Sequence, residues 1–328
     1  MASWLREHPT EFGLAIVLFL LCAGLSVTTD SFLTLVNLTS LLNNTSVNLI
    51  WAVGLLVVLI SGGIDISFAV AASVVQYIAF YVLEALGGGN WPVGFAVAIT
   101  LGVGLGCINA ALIHYFRIIT IVVTIATFNA FFGLLMFFTA GRFIYDLPDW
   151  WASRILIWEY QTAEGRWAEL TVTVGVMLAC MAATWLLLGY TTTGRQLYAY
   201  GDNPEGARRL GISPGAMTFI AFGWMGAMAG IAGLCQVNIT REVVPNALIG
   251  RELDVLAAVV LGGARLGGGR GTILGCVLGV FLVAVTQNGL NLLGVSPYAF
   301  KMVIGAIILI AISSSGARLL PRRKGAAA

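Results

Sequence analysis

The sequence has little charge and almost no lysine. Charged residues make up 10% of its 328 residues, against about 25% in ordinary soluble domains. Its two lysines, Lys301 and Lys324, both lie near the C-terminal end, and the formal net charge is +2. This charge distribution indicates no nucleic-acid partner, because nucleic acid is bound by dense basic surfaces.

Catalytic and metal-binding patterns are also missing. The two histidines, His8 and His114, are not near cysteines at metal-ligand spacing, and no nucleophile elbow or paired carboxylate occurs. The five cysteines lie in apolar segments without a CxxC pattern and are interpreted as small buried hydrophobic residues. The glycine-rich run 262–271 lacks the Lys-Ser/Thr ending of a phosphate-binding loop. We therefore predict no catalytic residues, no metal site and no cofactor bound by this chain.

What the chain has in abundance is apolar sequence, at 59% of all residues. A membrane-spanning helix needs about 20 predominantly apolar residues. The sequence predicts an all-α polytopic membrane protein, a single domain over residues 1–328, with about ten spans, nine and eleven remaining open. The spans are Phe12–Val27, Leu41–Ile60, Ile66–Leu83, Pro92–Ile113, Ile119–Ala140, Leu170–Tyr190, Ala216–Val237, Leu253–Leu266, Thr272–Leu293 and Tyr298–Ser313. The eighth is short for a full span.

The arginines predict the orientation. If the N-terminus is cytoplasmic, most basic residues lie on the cytoplasmic side, namely Arg6, Arg117, Arg195, Arg208, Arg209, Arg265, Arg270, Arg318, Arg322, Arg323 and Lys324. The positive-inside rule then favours both termini in the cytoplasm and an even number of spans.

A cytoplasmic loop over residues 191–215 carries the signals of a short helix. Asn203 suits the N-cap, Pro204 the first position and Glu205 the first turn. The helix continues through Ala207, Arg208 and Leu210, and Gly211 suits its stop. A plain connector would be shorter, so we interpret this helix as an interaction element.

An external segment over residues 141–169 combines five acidic residues with four tryptophans, Trp150, Trp151, Trp158 and Trp167. Tryptophan is enriched at membrane–water interfaces. We expect an interfacial segment anchored by an aromatic belt, and a docking surface for an extracytoplasmic partner is compatible with it.

A glycine-rich break separates the second and third spans, in the run Ser61–Ser67. Broken helices occur at membrane depth only inside protein or along a water-filled path. We expect Gly63 to adopt a conformation that is costly for other residues, and Asp65 to cap the next helix or to contact solute. A similar apolar run ends at Gly262-Gly263, as in transporters built from repeats, although duplication is left open.

Amide side chains recur within the spans. Each is costly in lipid and is therefore expected at helix contacts or along a polar path. Together with Gly62, Gly63, Asp65 and Ser67, the candidates for a translocation path or gate are Asn48, Asn109, Gln287 and Asn288. A path rich in amides and poor in charge suits an uncharged polyol.

Four sequence blocks resemble the sugar-type permeases of ATP-binding-cassette importers, the family of the ribose, xylose and autoinducer-2 permeases. They are SGGIDIS at 61–67, GRQLYAYGDNPEGARRLGI at 194–212, ELDVLAAVVLGGARLGGGRGT at 252–272 and NGLNLLGVS at 288–296. The resemblance implies a permease of the bacterial inner membrane without ATPase activity of its own. It would work with a cassette ATPase that binds ATP and magnesium, a periplasmic substrate-binding protein and a second permease chain, identical or not. The chain departs from the family pattern at Phe68-Ala69, where Val-Gly is usual.

We therefore predict an importer permease for a monosaccharide or related polyol. The alternative is an ion-coupled secondary transporter, which would need ionisable groups inside the membrane. The near candidates for that role are Asp65, Glu252, Asp254 and Lys301. A requirement for ATP and a binding protein separates the two.

Overall fold

The computed structural model describes residues 9–296, 299–302 and 305–306. These residues form a helical bundle with one two-stranded hairpin. Its first half comprises α1 (Pro9–Thr28), α2 (Leu35–Ile60), α3 (Phe68–Ala85), α4 (Trp91–Phe116), α5 (Thr120–Thr139) and α6 (Asp149–Ala152). The antiparallel hairpin follows, β1 (Leu156–Gln161) and β2 (Trp167–Thr171). The remaining helices are α7 (Val172–Tyr190), α8 (Thr192–Asp202), α9 (Pro204–Arg209), α10 (Pro214–Thr240), α11 (Arg251–Leu261) and α12 (Ile273–Leu292).

Eight of these helices are long and apolar enough to cross a membrane: α1, α2, α3, α4, α5, α7, α10 and α12. They correspond to eight of the ten predicted spans and confirm the all-α polytopic class. The predicted span Leu253–Leu266 is wrong in length, because α11 has 11 residues and ends at Leu261, before the glycines. The predicted span Tyr298–Ser313 lies largely outside the described residues, as do both chain ends.

The bundle is built around α2 and α10. From Leu49 to Leu59 the hydrophobic side chains of α2 are fully buried. By contrast, α1 and α5 expose large apolar side chains, such as Phe19 at 71% and Phe137 at 79%. A soluble protein would bury such residues, whereas in a membrane they face lipid tails. The core therefore lies at α2 and α10, and the outer helices form the lipid-facing surface.

Glycines bring α4 and α10 into backbone contact. A Cβ on Gly102 would lie 2.1 Å from the carbonyl oxygen of Gly226, and one on Gly106 would lie 2.1 Å from that of Phe222. Small residues allow this close approach of membrane helices. Gly104, between them in sequence, takes no part in this contact, because no atom lies within 4 Å of its Cβ position.

The glycine-rich breaks after α2 and α11 end their helices in the same way. Gly62 and Gly263 have φ angles of +86° and +94°. After α2, Gly62 N donates to Leu59 O and Gly63 N to Val58 O; after α11, the corresponding bonds run from Gly263 N to Val260 O and from Ala264 N to Val259 O. These are Schellman motifs, which satisfy the last carbonyls of a helix. The costly backbone conformation expected at Gly63 occurs instead at Gly62, which occupies the position after the C-cap Ser61.

The hairpin end of the bundle, called here the hairpin face, departs from a simple aromatic belt. Trp151 is fully buried, and its indole nitrogen donates to the carbonyl of Leu234 at 2.9 Å. Trp150 is partly buried and donates to Gly88, whereas Trp158 and Trp167 are exposed. Two of the four tryptophans therefore hold segment 141–169 onto the bundle, and the belt prediction is wrong for Trp151.

Candidate functional site

The short helix α9 forms as its sequence predicts. The Asn203 side chain accepts a hydrogen bond from Gly206 N at 2.9 Å, and Pro204 occupies the first turn. Gly211, with a φ angle of +83°, follows the C-cap Leu210, and Ile212 N donates to Ala207 O at 3.0 Å. The helix bounds and caps predicted from sequence are confirmed; the interaction role of the helix stays a prediction.

Helix α9 is an exposed element at the end of the bundle opposite the hairpin, called here the short-helix face. Ala207 is its one buried residue, whereas Leu210 is 80% exposed. Arg209 approaches Glu205 at 3.6 Å, an exposed pair that stabilises the helix by about 0.5 kcal/mol at most. Most of the surface of α9 is therefore exposed at this end of the bundle.

The break between α2 and α3 contains a buried polar cluster. Asp65 is 3% exposed, and its Oδ1 accepts hydrogen bonds from both Ser67 N and Ser67 Oγ at 2.7 Å. Asn109 Nδ2 on α4 donates to Ser67 Oγ at 2.8 Å. Ser67 is itself the N-cap residue, so Asp65 organises the start of α3 from two residues upstream.

The same break is tied to α5 on both sides of its backbone. The amide of Ile64 donates to Thr120 Oγ1 at 3.1 Å, and Thr124 Oγ1 donates to the carbonyl of Ile64 at 3.2 Å. Backbone between helices would be costly to leave unpaired inside a membrane. Side chains of α5 therefore replace the helical hydrogen bonds that the break removes.

A separate polar cavity of about 260 Å³ lies between α2, α11 and α12. Its polar lining comes from two asparagines of α2, two charged residues of α11 and one glutamine of α12: Asn44, Asn48, Arg251, Asp254 and Gln287. Its other wall is apolar, formed mainly by valine and alanine. A smaller cavity of about 220 Å³ shares Asn44, Asn48 and Gln287 and extends to Asn288 and Asn291.

Arg251 is the most constrained side chain of this cavity. Its Nη1 donates to Gln236 Oε1 at 2.9 Å, and its Nη2 donates to Asn48 Oδ1 at 2.7 Å. The guanidinium carbon also lies 5.0 Å from the ring centroid of Trp51. Among the described residues, no carboxylate oxygen lies within 4.0 Å of its nitrogens. The charge is thus held by two neutral amides and an aromatic face.

The predicted path residues fall into two groups. Asn48 and Gln287 line the cavity, and Asn288 lines the adjoining cavity while exchanging two hydrogen bonds with Asn37 of α2. The other residues lie at the break, which contains Gly62, Gly63, Asp65 and Ser67 and is contacted by Asn109 of α4. None of these five residues lines either cavity. The structure therefore brings only part of the predicted set together, and its role in transport stays a prediction.

Sequence reasoning missed Arg251, Gln236 and Trp51 as a unit. Glu252 is adjacent to Arg251 in the sequence, but its carboxylate accepts from Gly250 N at 2.9 Å instead. The sequence feature that could have indicated this unit was an arginine at the start of an otherwise apolar segment. Its partners come from α2 and α10, more than ten residues away along the chain, so the contact could not be read from spacing.

Long apolar helices around a polar cavity, with two glycine-broken segments and an exposed short helix, define a multi-pass membrane transport protein. The profile of the family described as branched-chain amino acid transport system, permease component, matches residues 37–312. The chain belongs to this permease family.

Relatives extend over nearly the whole chain. The ribose import permease protein RbsC of Escherichia coli K12 is 32% identical over 323 residues, covering 94% of this chain and 92% of the relative. RbsC of Bacillus subtilis 168 is 32% identical, covering 96% and 94%. The autoinducer 2 import system permease protein LsrC of Photorhabdus luminescens is 30% identical, covering 95% and 91%. No solved structure matches the chain significantly.

Proposed function

We propose that this chain is the permease subunit of an ATP-driven bacterial importer that carries a monosaccharide or related polyol across the inner membrane. The observation that carries the proposal is its similarity, over more than nine tenths of its length, to permeases named for ribose and autoinducer 2 import. A cassette ATPase would supply ATP hydrolysis, and a periplasmic binding protein would deliver the solute. A second permease chain, identical or not, would complete the path, with both termini in the cytoplasm.

The polar cavity supports the solute class. A sugar hydroxyl both donates and accepts hydrogen bonds, and asparagine and glutamine side chains can match both roles. Arg251 adds donors and Asp254 adds acceptors, while the valine and alanine wall suits the apolar C–H face of a sugar ring. Such a site, with a few polar groups on a largely apolar wall, fits a neutral polyol.

The exposed helix α9 supports the proposal that a cassette ATPase binds this chain. In this proposal its Leu210 and mixed charges dock on the ATPase, and ATP-driven closure of that subunit moves α9. The movement changes the equilibrium between inward-open and outward-open states, which needs a differential contact in the two states. The hairpin face, with exposed Trp158 and Trp167, would meet the binding protein.

Uptake into proteoliposomes tests the proposal against ion coupling. The permease is reconstituted with a candidate cassette ATPase and binding protein from the same organism, and labelled D-ribose, D-xylose and D-galactose are supplied separately. We expect accumulation of at least one sugar that needs internal ATP and the binding protein and survives an ionophore. An ATPase variant lacking its P-loop lysine is the matched control. Accumulation that follows an ion gradient without ATP would establish the secondary-transporter alternative instead.

A further inference from the structure

The two glycine-rich breaks meet at the short-helix face, and a single residue of α8 lies between them. The carbonyl of Ile60, the last residue of α2, accepts a hydrogen bond from Gly269 N at 2.9 Å. Gly269 belongs to the break between α11 and α12. The end of α2 is therefore joined by one backbone hydrogen bond to the segment between α11 and α12.

Gly201 of α8 lies directly against this bond. A Cβ built on Gly201 would be 1.8 Å from Ile60 O and 2.6 Å from Gly269 N. Separations below 3.0 Å are not found for real Cβ atoms, and both neighbours are backbone atoms that cannot rotate away. Position 201 therefore accommodates only glycine because of these contacts, and not because of its backbone angles.

The contact extends on both sides of Gly201. A Cβ on Gly268 would lie 2.6 Å from Gly201 O and 2.8 Å from Gly62 Cα. Tyr198, one turn earlier on α8, donates its hydroxyl proton to the carbonyl of Gly271 at 2.8 Å. At Gly201, Gly268 and Gly62, backbone therefore packs directly on backbone.

Helix α8 also carries the exposed helix α9. Asp202 ends α8, and Asn203 is both its C-cap and the N-cap of α9. A displacement of α9 therefore acts on the backbone at Asn203, two residues from Gly201. Because packed interfaces switch between discrete arrangements rather than deform continuously, the displacement must be passed to Ile60 and Gly269 or break their hydrogen bond.

We propose that Gly201 is the positioning residue that transmits movement of α9 to both glycine-rich breaks, with Tyr198 as its second attachment. This inference rests on the proposed function, because it assigns the route by which the partner ATPase would open and close the path. The first break leads into α3 through the Asp65–Ser67 cluster, and the second leads into α12, which lines the polar cavity. One displacement at α8 thereby reaches both the buried cluster at the start of α3 and the cavity wall formed by α12.

The test compares three variants in the reconstituted system with ATPase and binding protein. Gly201→Ala places a methyl group on the Ile60–Gly269 bond, Tyr198→Phe removes only the hydroxyl, and Gly189→Ala is the control, since a Cβ there meets nothing within 4 Å. We expect Gly201→Ala to assemble with the ATPase but to lose stimulation of ATP hydrolysis by the sugar-loaded binding protein, together with uptake. Tyr198→Phe should give less sugar transported per ATP, and Gly189→Ala should match the wild type.

A merely structural role of Gly201 would alter stability without altering the ratio of sugar transported to ATP hydrolysed. An unchanged ratio in assembled Gly201→Ala, or an equal loss in Gly189→Ala, overturns the inference. If Gly201→Ala does not assemble, Tyr198→Phe decides: wild-type coupling overturns the inference and reduced coupling supports it. Failure of the wild type to transport would count against the proposed function itself, so the two failures are distinguishable.

Discussion

Asp65 is a buried carboxylate whose visible contacts are those of a local organiser. Its Oδ1 accepts two hydrogen bonds from Ser67, and Ser67 in turn accepts one from Asn109. The cluster thus links the break to α4 at the point where α3 begins. Its carboxylate could hold this turn together, take part in gating, or do both.

Replacing Asp65 with asparagine or leucine separates these roles. Asparagine keeps an oxygen that can accept from Ser67 N, so a purely structural Asp65 predicts near-normal uptake and thermal stability. Leucine leaves Ser67 N unpaired in a buried site, at about 1–3 kcal/mol, and should lower both the melting temperature and uptake. Loss of uptake in Asp65→Asn at unchanged melting temperature would instead assign a role to the charge. Full uptake and stability with leucine would contradict both roles.

Arg251 gives a second prediction at the scale of single residues. Lysine in its place keeps the charge but cannot bond Asn48 and Gln236 together as the flat guanidinium does. If Arg251 orders the cavity for solute, Arg251→Lys should raise the sugar concentration for half-maximal uptake about tenfold, equivalent to ~1.4 kcal/mol. Arg154→Lys, at an exposed ion pair with Glu169 on the hairpin face, is the control. Equal uptake curves for Arg251→Lys and wild type would remove Arg251 from the site.

At the scale of elements, α9 is capped by hydrogen bonds at its own ends but buries only one of its residues against the bundle. Its caps come from Asn203 and Gly211, while Ala207 supplies its buried contact. Local sequence therefore determines that the helix exists, and its outward surface remains available to a partner. Exposed substitutions there should change stability by only about 0.5 kcal/mol.

Leu210→Asp and Glu205→Arg test that surface. Both should leave the melting temperature of the isolated permease unchanged but weaken binding of the ATPase and uncouple hydrolysis from uptake, because each alters the exposed contact surface. Copurification and the amount of sugar transported per ATP are the measurements. Glu164→Arg, an equally exposed charge reversal in the hairpin, should leave both unchanged. Normal coupling in the Leu210→Asp, Glu205→Arg double variant would contradict the docking role of α9.

At the scale of the whole molecule, the hairpin and α9 lie at opposite ends of the bundle. This arrangement follows from the path of the chain, because a single long helix, α7, runs from β2 to the short-helix face. The distribution of arginines favours a cytoplasmic position for α9, which places the hairpin outside. The two ends would then meet different partners.

Cysteine labelling tests this orientation. In a chain whose five native cysteines are replaced, Glu164→Cys should react with an impermeant maleimide added outside intact spheroplasts, because its side chain is exposed on the hairpin. Glu205→Cys should react only after the membrane is opened. The reverse pattern would invert the topology and exclude contact between the hairpin and a periplasmic binding protein.

The sequence by itself determined the helical class, eight of the membrane-crossing segments and the caps of α9. Each depends on local features: apolar length, an Asn-Pro start and a glycine stop. The break after α2 was also predicted, but the costly backbone conformation was assigned to Gly63 and lies at Gly62. The hydrogen bonds back into the helix, rather than the presence of two glycines, select Gly62 as the position after the C-cap.

Only the tertiary structure decided which polar residues share a site and which glycines are indispensable. Gly104 and Gly106 look alike in sequence, yet one has open space and the other contacts α10. Likewise, Asn48 meets Arg251 across 203 residues, and Gly201 meets both breaks only because α8 crosses them. These contacts depend on how helices rotate and pack about one another, which local periodicity in a uniformly apolar chain does not specify.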